Sequence, residues 1–139
     1  MSTSAHINIL VVDDVASMRG IIKNLLKSLG YDHIEEAEDG SAALEKIKHN
    51  HFDIVITDWI MPVMDGKGLL NAIRRDATLS QLPVLMITAE AKKENIIEAV
   101  LLGVKGCIVK PCSVGILEEK INKIIGKQAQ QNDADWLHS

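Results

Sequence analysis

Short runs of β-branched residues alternate with stretches of helical period, and five such alternations run along the chain. Ile7 to Val12 reads as a buried strand that stops at Asp13-Asp14. Met18, Ile21, Ile22, Leu25, Leu26 and Leu29 then recur at the i, i+3, i+4, i+7 spacing of a helix closed by Gly30. His33 to Glu38 predicts a weaker strand in which only Ile34 and Ala37 are apolar. Asp39-Gly40-Ser41 supplies a turn and a cap for a helix whose Ala43, Leu44 and Ile47 share a face. Ile54 to Ile56 forms a third strand running into Asp58. Met61-Pro62 and Asp65-Gly66, the latter read as a turn, break regular structure before a helix bearing Leu69, Leu70 and Ile73. Pro83 opens a fourth strand that ends at Thr88, and Ile96, Ile97, Val100 and Leu101 make the apolar side of a fourth helix with Gly103 beyond its end. Cys107 to Val109 is a short fifth strand stopped by Lys110-Pro111, and Leu117, Ile121, Ile124 and Ile125 line a last helix that ends before Gly126.

Strands apolar on both faces, each followed by a helix, imply a parallel sheet covered on both sides. The expected fold is therefore α/β, a doubly wound five-stranded parallel sheet with five helices. Ligands of such sheets sit beyond the carboxyl ends of the strands, where strand order reverses. Residues 6–126 make one domain, and 127–139 read as a polar, flexible tail whose apolar exception is Trp136-Leu137.

Composition narrows the class. The chain has 139 residues and a net charge of −4, with no clustered basic stripe, which argues against a nucleic-acid footprint. Apolar runs such as Ile9 to Val12 and Val84 to Ile87 are far too short to span a bilayer, and no basic-then-apolar leader opens the chain. A cytoplasmic protein with no membrane partner is expected. Cys107 and Cys112 match no metal or redox spacing and read as reduced thiols. His6, His33, His49, His51 and His138 lack ligand spacing and read as surface residues, and Glu35, Glu36 and Glu38 as a solvated edge.

The residues that end the strands carry the chemistry: Asp13 and Asp14 after the first, Asp58 after the third, Thr88 after the fourth and Lys110 after the fifth. Singly, each is an ordinary turn, cap or strand-end residue; together they converge on one sheet edge. Three carboxylates brought together repel unless a cation sits among them, and oxygen ligands without His or Cys favour Mg²⁺. The implied ligand is phosphoryl. A carboxylate is able to attack phosphorus to give an acyl phosphate, with Lys110 and the Thr88 hydroxyl offsetting charge on its oxygens. These parts suit in-line transfer to Asp58. Two other classes have similar parts. A metal-dependent phosphohydrolase also passes through an aspartyl phosphate, but no second acid stands two residues after Asp58. A flavin or nucleotide module would want a glycine- or hydroxyl-rich first loop, and Asp13-Asp14-Val15-Ala16 is neither.

With these residues in place, the chain resembles the receiver domain of two-component response regulators. Ile9 to Asp14, Thr57 to Gly66 and Cys107 to Pro111 are similar to that family's three signature blocks, and the likeness runs from about His6 to Gly126. It is strongest to the chemotaxis branch at Thr57-Asp58-Trp59, at Thr88 to Ile97 and at Leu117 to Lys120. The resemblance implies a flavodoxin-like strand order of 2-1-3-4-5 and a cis Lys110-Pro111 bond. It implies phosphorylation of Asp58 by a histidine kinase, Mg²⁺ held by Asp13, Asp14, Asp58 and the Ile60 carbonyl, and readout by Thr88 and Lys110. Beyond self-catalysed phosphoryl transfer and dephosphorylation it implies no enzyme activity. Output would be protein binding by a monomer through a surface flanked by Lys93, Cys107 and Lys120. The flagellar motor switch is the expected target, with a phosphatase as a further partner; a phosphate sink or a non-motor target is the alternative. Two positions depart from the pattern. Cys107 stands where an aromatic ring is usual, and Ile60 stands where a polar side chain helps to place hydrolytic water. The polar Glu90, two residues after Thr88, is the remaining candidate for tuning dephosphorylation.

Overall fold

The computed structural model describes residues 6–138, with side chains described for 6–126. Five strands, β1 (Asn8–Val12), β2 (His33–Ala37), β3 (Ile54–Thr57), β4 (Val84–Thr88) and β5 (Gly106–Val109), alternate with five helices. These are α1 (Ala16–Ser28), α2 (Gly40–His49), α3 (Gly66–Arg75), α4 (Lys93–Leu101) and α5 (Val114–His138). The sheet order is β2-β1-β3-β4-β5, and every pairing is parallel. The chain therefore has the doubly wound, flavodoxin-like fold expected of it.

The period of two along each strand divides the core into two layers. Ile9, Val11, Ile54, Ile56, Leu85 and Ile87 pack on one face with Ile22 and Leu26 of α1 and Leu117 and Ile121 of α5. Leu10, Val12, Val55, Val84 and Met86 face the other way, onto Ala43 and Ile47 of α2, Leu69, Leu70 and Ile73 of α3, and Ala99 of α4. Both faces of β1, β3 and β4 are thus closed to water, which is why these strands read as unbroken apolar runs.

Helix ends fix where each crossover re-enters the sheet. After α1, Gly30 takes a left-handed φ of 97°; its N–H bonds the Lys27 carbonyl and Tyr31 N–H bonds that of Leu26. That is a Schellman closure, and Tyr31 and Leu26 bury together. Asp39 caps α2 by accepting from Ala42 N–H at 2.8 Å, and Asp65 caps α3 by accepting from Gly68 N–H at 2.9 Å.

Three expectations need correction. On α4 only Ala99 is buried, whereas Ile97, Val100 and Leu101 are exposed at 48%, 61% and 80%. Two apolar stripes compete on this helix, and the sheet takes the one with Ala99 and Leu102, leaving the larger side chains outside. Gly126 does not end the last helix, which runs on to His138; a single glycine costs about 1 kcal/mol and does not break a helix flanked by good helix formers. Of the expected solvated edge, Glu35 and Glu38 are exposed, Glu35 pairing at the surface with Lys46 at 3.2 Å, whereas Glu36 is half-buried and pairs with Arg19 at 3.2 Å and Lys23 at 3.5 Å. The flexible tail expected for 127–139 concerns residues whose side chains lie outside those described. Among the described histidines, His6, His33, His49 and His51 are exposed as expected.

Candidate functional site

β1 pairs with β2 on one side and β3 on the other, so the chain reverses its winding at the carboxyl ends of β1 and β3. Parallel register carries the ends of β1 and β3 to the same level, with Val12 beside Thr57. Asp13 and Asp58, each one residue beyond its strand, therefore meet at the switch point.

Both carboxylates are nearly dry. Asp13 is 1% exposed and Asp58 8%, so each needs partners for its charge. Asp13 Oδ1 accepts from Val15 N–H at 2.9 Å, and its backbone is held by Asp13 N–H donating to the Ala37 carbonyl at 3.1 Å. Asp58 N–H donates to the Val12 carbonyl, and its Oδ1 accepts from Trp59 N–H at 2.7 Å and Ile60 N–H at 3.4 Å. The second oxygens of both go to one cation: Lys110 Nζ lies 2.7 Å from Asp13 Oδ2 and 2.9 Å from Asp58 Oδ2. Burial pulls the Lys110 ammonium downward, but the bonds and charges of Asp13 and Asp58 outweigh it and hold its pKa above the usual lysine value. The Lys110-Pro111 bond is cis, as the resemblance implied.

Asp14 is exposed, yet one oxygen from each of Asp13, Asp14 and Asp58 falls within a common span of 4.8 Å. One ammonium among three carboxylates leaves two negative charges uncompensated. The donors are all hard oxygens, a set that fits a divalent cation such as Mg²⁺. Among the hydrogen bonds of the described residues none ends on the Ile60 carbonyl, the fourth expected ligand.

Thr88 closes β4 and is buried at 1%; its Oγ1 accepts from Glu90 N–H at 3.3 Å, and its carbonyl accepts from Lys110 N–H at 2.9 Å. Glu90 is exposed and lies 3.6 Å from Lys92. The side chain of Ile60 is 50% exposed. Away from the acidic edge, Cys107 packs against the α2–α4 layer; burial pushes its thiol up, with the Lys120 charge pulling the other way. Lys93 opens α4 and is exposed, whereas Lys120 on α5 is half-buried.

Three residues to which the sequence assigns no site role support this arrangement. Gly66 donates its N–H to the Trp59 carbonyl, and a Cβ there would lie 2.6 Å from the Asp58 carbonyl oxygen and 2.8 Å from Trp59 Cε3. Thr57 Oγ1 donates to the Asp58 carbonyl at 2.8 Å. Arg19 donates through Nη1 to the Asp13 carbonyl at 2.6 Å. These are contacts across the fold, and no spacing in the sequence announces them.

With this geometry in hand, comparison with known proteins places the chain. Residues 9–122 match the response regulator receiver domain, and the chain belongs to that family. It is 55% identical over 119 residues to the chemotaxis protein CheY-3 of Vibrio cholerae, covering 86% of this chain and 92% of that one. A CheY-like receiver domain protein from Methanospirillum hungatei superposes with a TM-score of 0.82 at 28% identity, covering 90% and 98% of the two chains. The CheX–CheY–BeF₃–Mg²⁺ complex from Borrelia burgdorferi matches with a TM-score of 0.79 at 30% identity, covering 86% and 89%. The chain is a CheY-like receiver domain of two-component signalling, with chemotaxis proteins among its relatives.

Proposed function

We propose that the domain at 6–126 is a cytoplasmic response regulator receiver that accepts a phosphoryl group on Asp58 from a histidine kinase and signals in chemotaxis by phosphorylation-dependent binding. The observation that carries this reading is the Lys110 bridge between Asp13 and Asp58, beside an acidic group with two negative charges to spare.

In the proposed transfer, an Asp58 carboxylate oxygen attacks phosphorus in line. The P–N bond to the kinase histidine breaks, and its electron pair stays on the imidazole. Asp13, Asp14, Asp58 and the Ile60 carbonyl would hold Mg²⁺, which supplies positive charge against the phosphoryl oxygens. Lys110 turns from its carboxylate partners toward one of those oxygens. The Thr88 hydroxyl, whose proton enters no hydrogen bond among the described residues, donates to another.

Reversal requires water to attack phosphorus and the P–O bond to Asp58 to break. Half-exposed Ile60, two residues after Asp58, has no group to orient that water, which leaves Glu90, whose N–H bonds Thr88, as the polar candidate. A long-lived acyl phosphate follows, shortened in the cell by a phosphatase partner; the complex of the Borrelia burgdorferi relative with CheX supports output and control through protein binding.

Moving the switch from roughly 1:99 to 99:1 takes about 5.5 kcal/mol. The new charge-assisted bonds of Lys110 and Thr88 supply about 1.5–3 kcal/mol each before their present bonds are lost, so the target completes the shift. Its surface is the apolar face of Ile97, Val100 and Leu101 with Val109, flanked by Lys93, Cys107 and Lys120. The flagellar motor switch, met by a monomer, is the proposed target.

Trp59 provides the test, because its main-chain N–H bonds the Asp58 carboxylate and so ties the residue to the site. In a Trp136→Phe background, Mg²⁺ followed by acetyl phosphate is expected to change Trp59 emission in two saturable steps. An emission indifferent to both would refute the reading.

A further inference from the structure

Arg19 lies in the first turn and a half of α1, where a cation opposes the positive end of the helix dipole. The residue before the helix, Val15, provides no side-chain cap, and the first turn holds no acidic residue, so nothing in the helix itself compensates Arg19. Its partners lie elsewhere. Nη1 donates to the Asp13 carbonyl at 2.6 Å while Nε donates to Glu36 Oε1 at 3.2 Å, and the side chain is 17% exposed. Glu36 sits on β2, the edge strand beyond β1, and Lys23 supports its other oxygen at 3.5 Å.

The fork thus ties the edge strand to the one peptide group that separates the Asp13 and Asp14 side chains. Asp13 is gripped at every polar atom: N–H by Ala37, carbonyl by Arg19, Oδ1 by Val15 N–H and Oδ2 by Lys110. We propose that Arg19, steered by Glu36, is a positioning residue that fixes the Asp13-Asp14 turn and so sets affinity for the divalent cation. This rests on the reading of Asp13, Asp14 and Asp58 as the cation's ligands.

Charge and position predict opposite signs here. As a nearby positive charge Arg19 weakens cation binding, so if charge alone mattered its removal would tighten it. As the holder of the turn it strengthens binding, so its removal loosens it; groups behind metal ligands commonly matter at this scale.

Calorimetric Mg²⁺ titration of the full chain, with amide hydrogen exchange in chelator, separates the two. Arg19→Gln is expected to weaken Mg²⁺ binding about tenfold and to speed exchange of the Val15 amide that bonds Asp13 Oδ1. Arg19→Lys, which keeps the charge but loses the fork, and Glu36→Gln should both fall between. A thermal melt in chelator checks that each variant is folded. Wild-type or tighter affinity in Arg19→Gln and Arg19→Lys, with the wild type binding normally, overturns the inference alone. Absence of Mg²⁺ binding by the wild type overturns the site reading and the inference with it.

Discussion

Lys110 Nζ lies 2.9 Å from Asp58 Oδ2 although β4 stands between the strands that carry the two residues. The lysine reaches across a whole strand and continues to Asp13 at 2.7 Å, so a single ammonium joins the ends of β1, β3 and β5.

Its removal should therefore destabilise the metal-free domain. The three side chains are 11%, 1% and 10% exposed, and a buried pair stripped of one partner loses about 3–5 kcal/mol. Lys110→Met is expected to melt well below wild type in chelator and to recover much of the difference in Mg²⁺. Asp14→Asn removes a repelling carboxylate and should raise the midpoint in chelator by a few degrees while losing the Mg²⁺-dependent rise. Equal midpoints for all three proteins would contradict the charge accounting.

Ile60→Asn should shorten the life of the acyl phosphate. Asparagine supplies a donor and an acceptor where a half-exposed isoleucine has neither. Phosphate release after removal of the phosphodonor is expected to be severalfold faster in the variant, and equal rates would deny Ile60 any part in setting the lifetime.

One substitution made at two glycines should have opposite effects. Gly20 lies within α1, and a methyl group added there would meet no atom within 4 Å, so Gly20→Ala is expected to stabilise by about 0.5–1 kcal/mol. At Gly66 the methyl would press on the Asp58 carbonyl at 2.6 Å, backbone that cannot yield cheaply. Gly66→Ala should cost about 1–3 kcal/mol and slow phosphorylation, both measurable by urea denaturation beside acetyl phosphate kinetics.

Arg74 clamps the opposite end of the domain. It donates to the carbonyls of Ser80, Leu82, Leu102 and Gly103, tying α3 to the end of α4 and to the entry of β4. Arg74→Met is expected to lose about 2–4 kcal/mol in equilibrium denaturation while leaving Mg²⁺ affinity unchanged, since the clamp lies at the amino edge of the sheet.

Much of this was legible in the residues. β1, β3 and β4 are closed to water on both faces and so announce themselves as apolar runs, and the polar residue ending each run marks the site edge. That is how Asp13, Asp58 and Thr88 are readable one by one. The inward face of α4 was not, because periodicity ranks stripes by size, and here the sheet accepts Ala99 while Ile97, Val100 and Leu101 stay outside. Gly66, Arg19 and Glu36 were hidden for a different reason. Their roles depend on a contact distance or on a hydrogen bond between distant segments, neither of which leaves a periodic trace.

Whether Asp58 is the phosphoacceptor is decided by intact-mass spectrometry after treatment with acetyl phosphate and Mg²⁺, because the acceptor is one carboxylate. One added phosphoryl group is expected on the wild type and none on Asp58→Ala. No added mass on the wild type, or the same mass on both proteins, would be incompatible with transfer to Asp58.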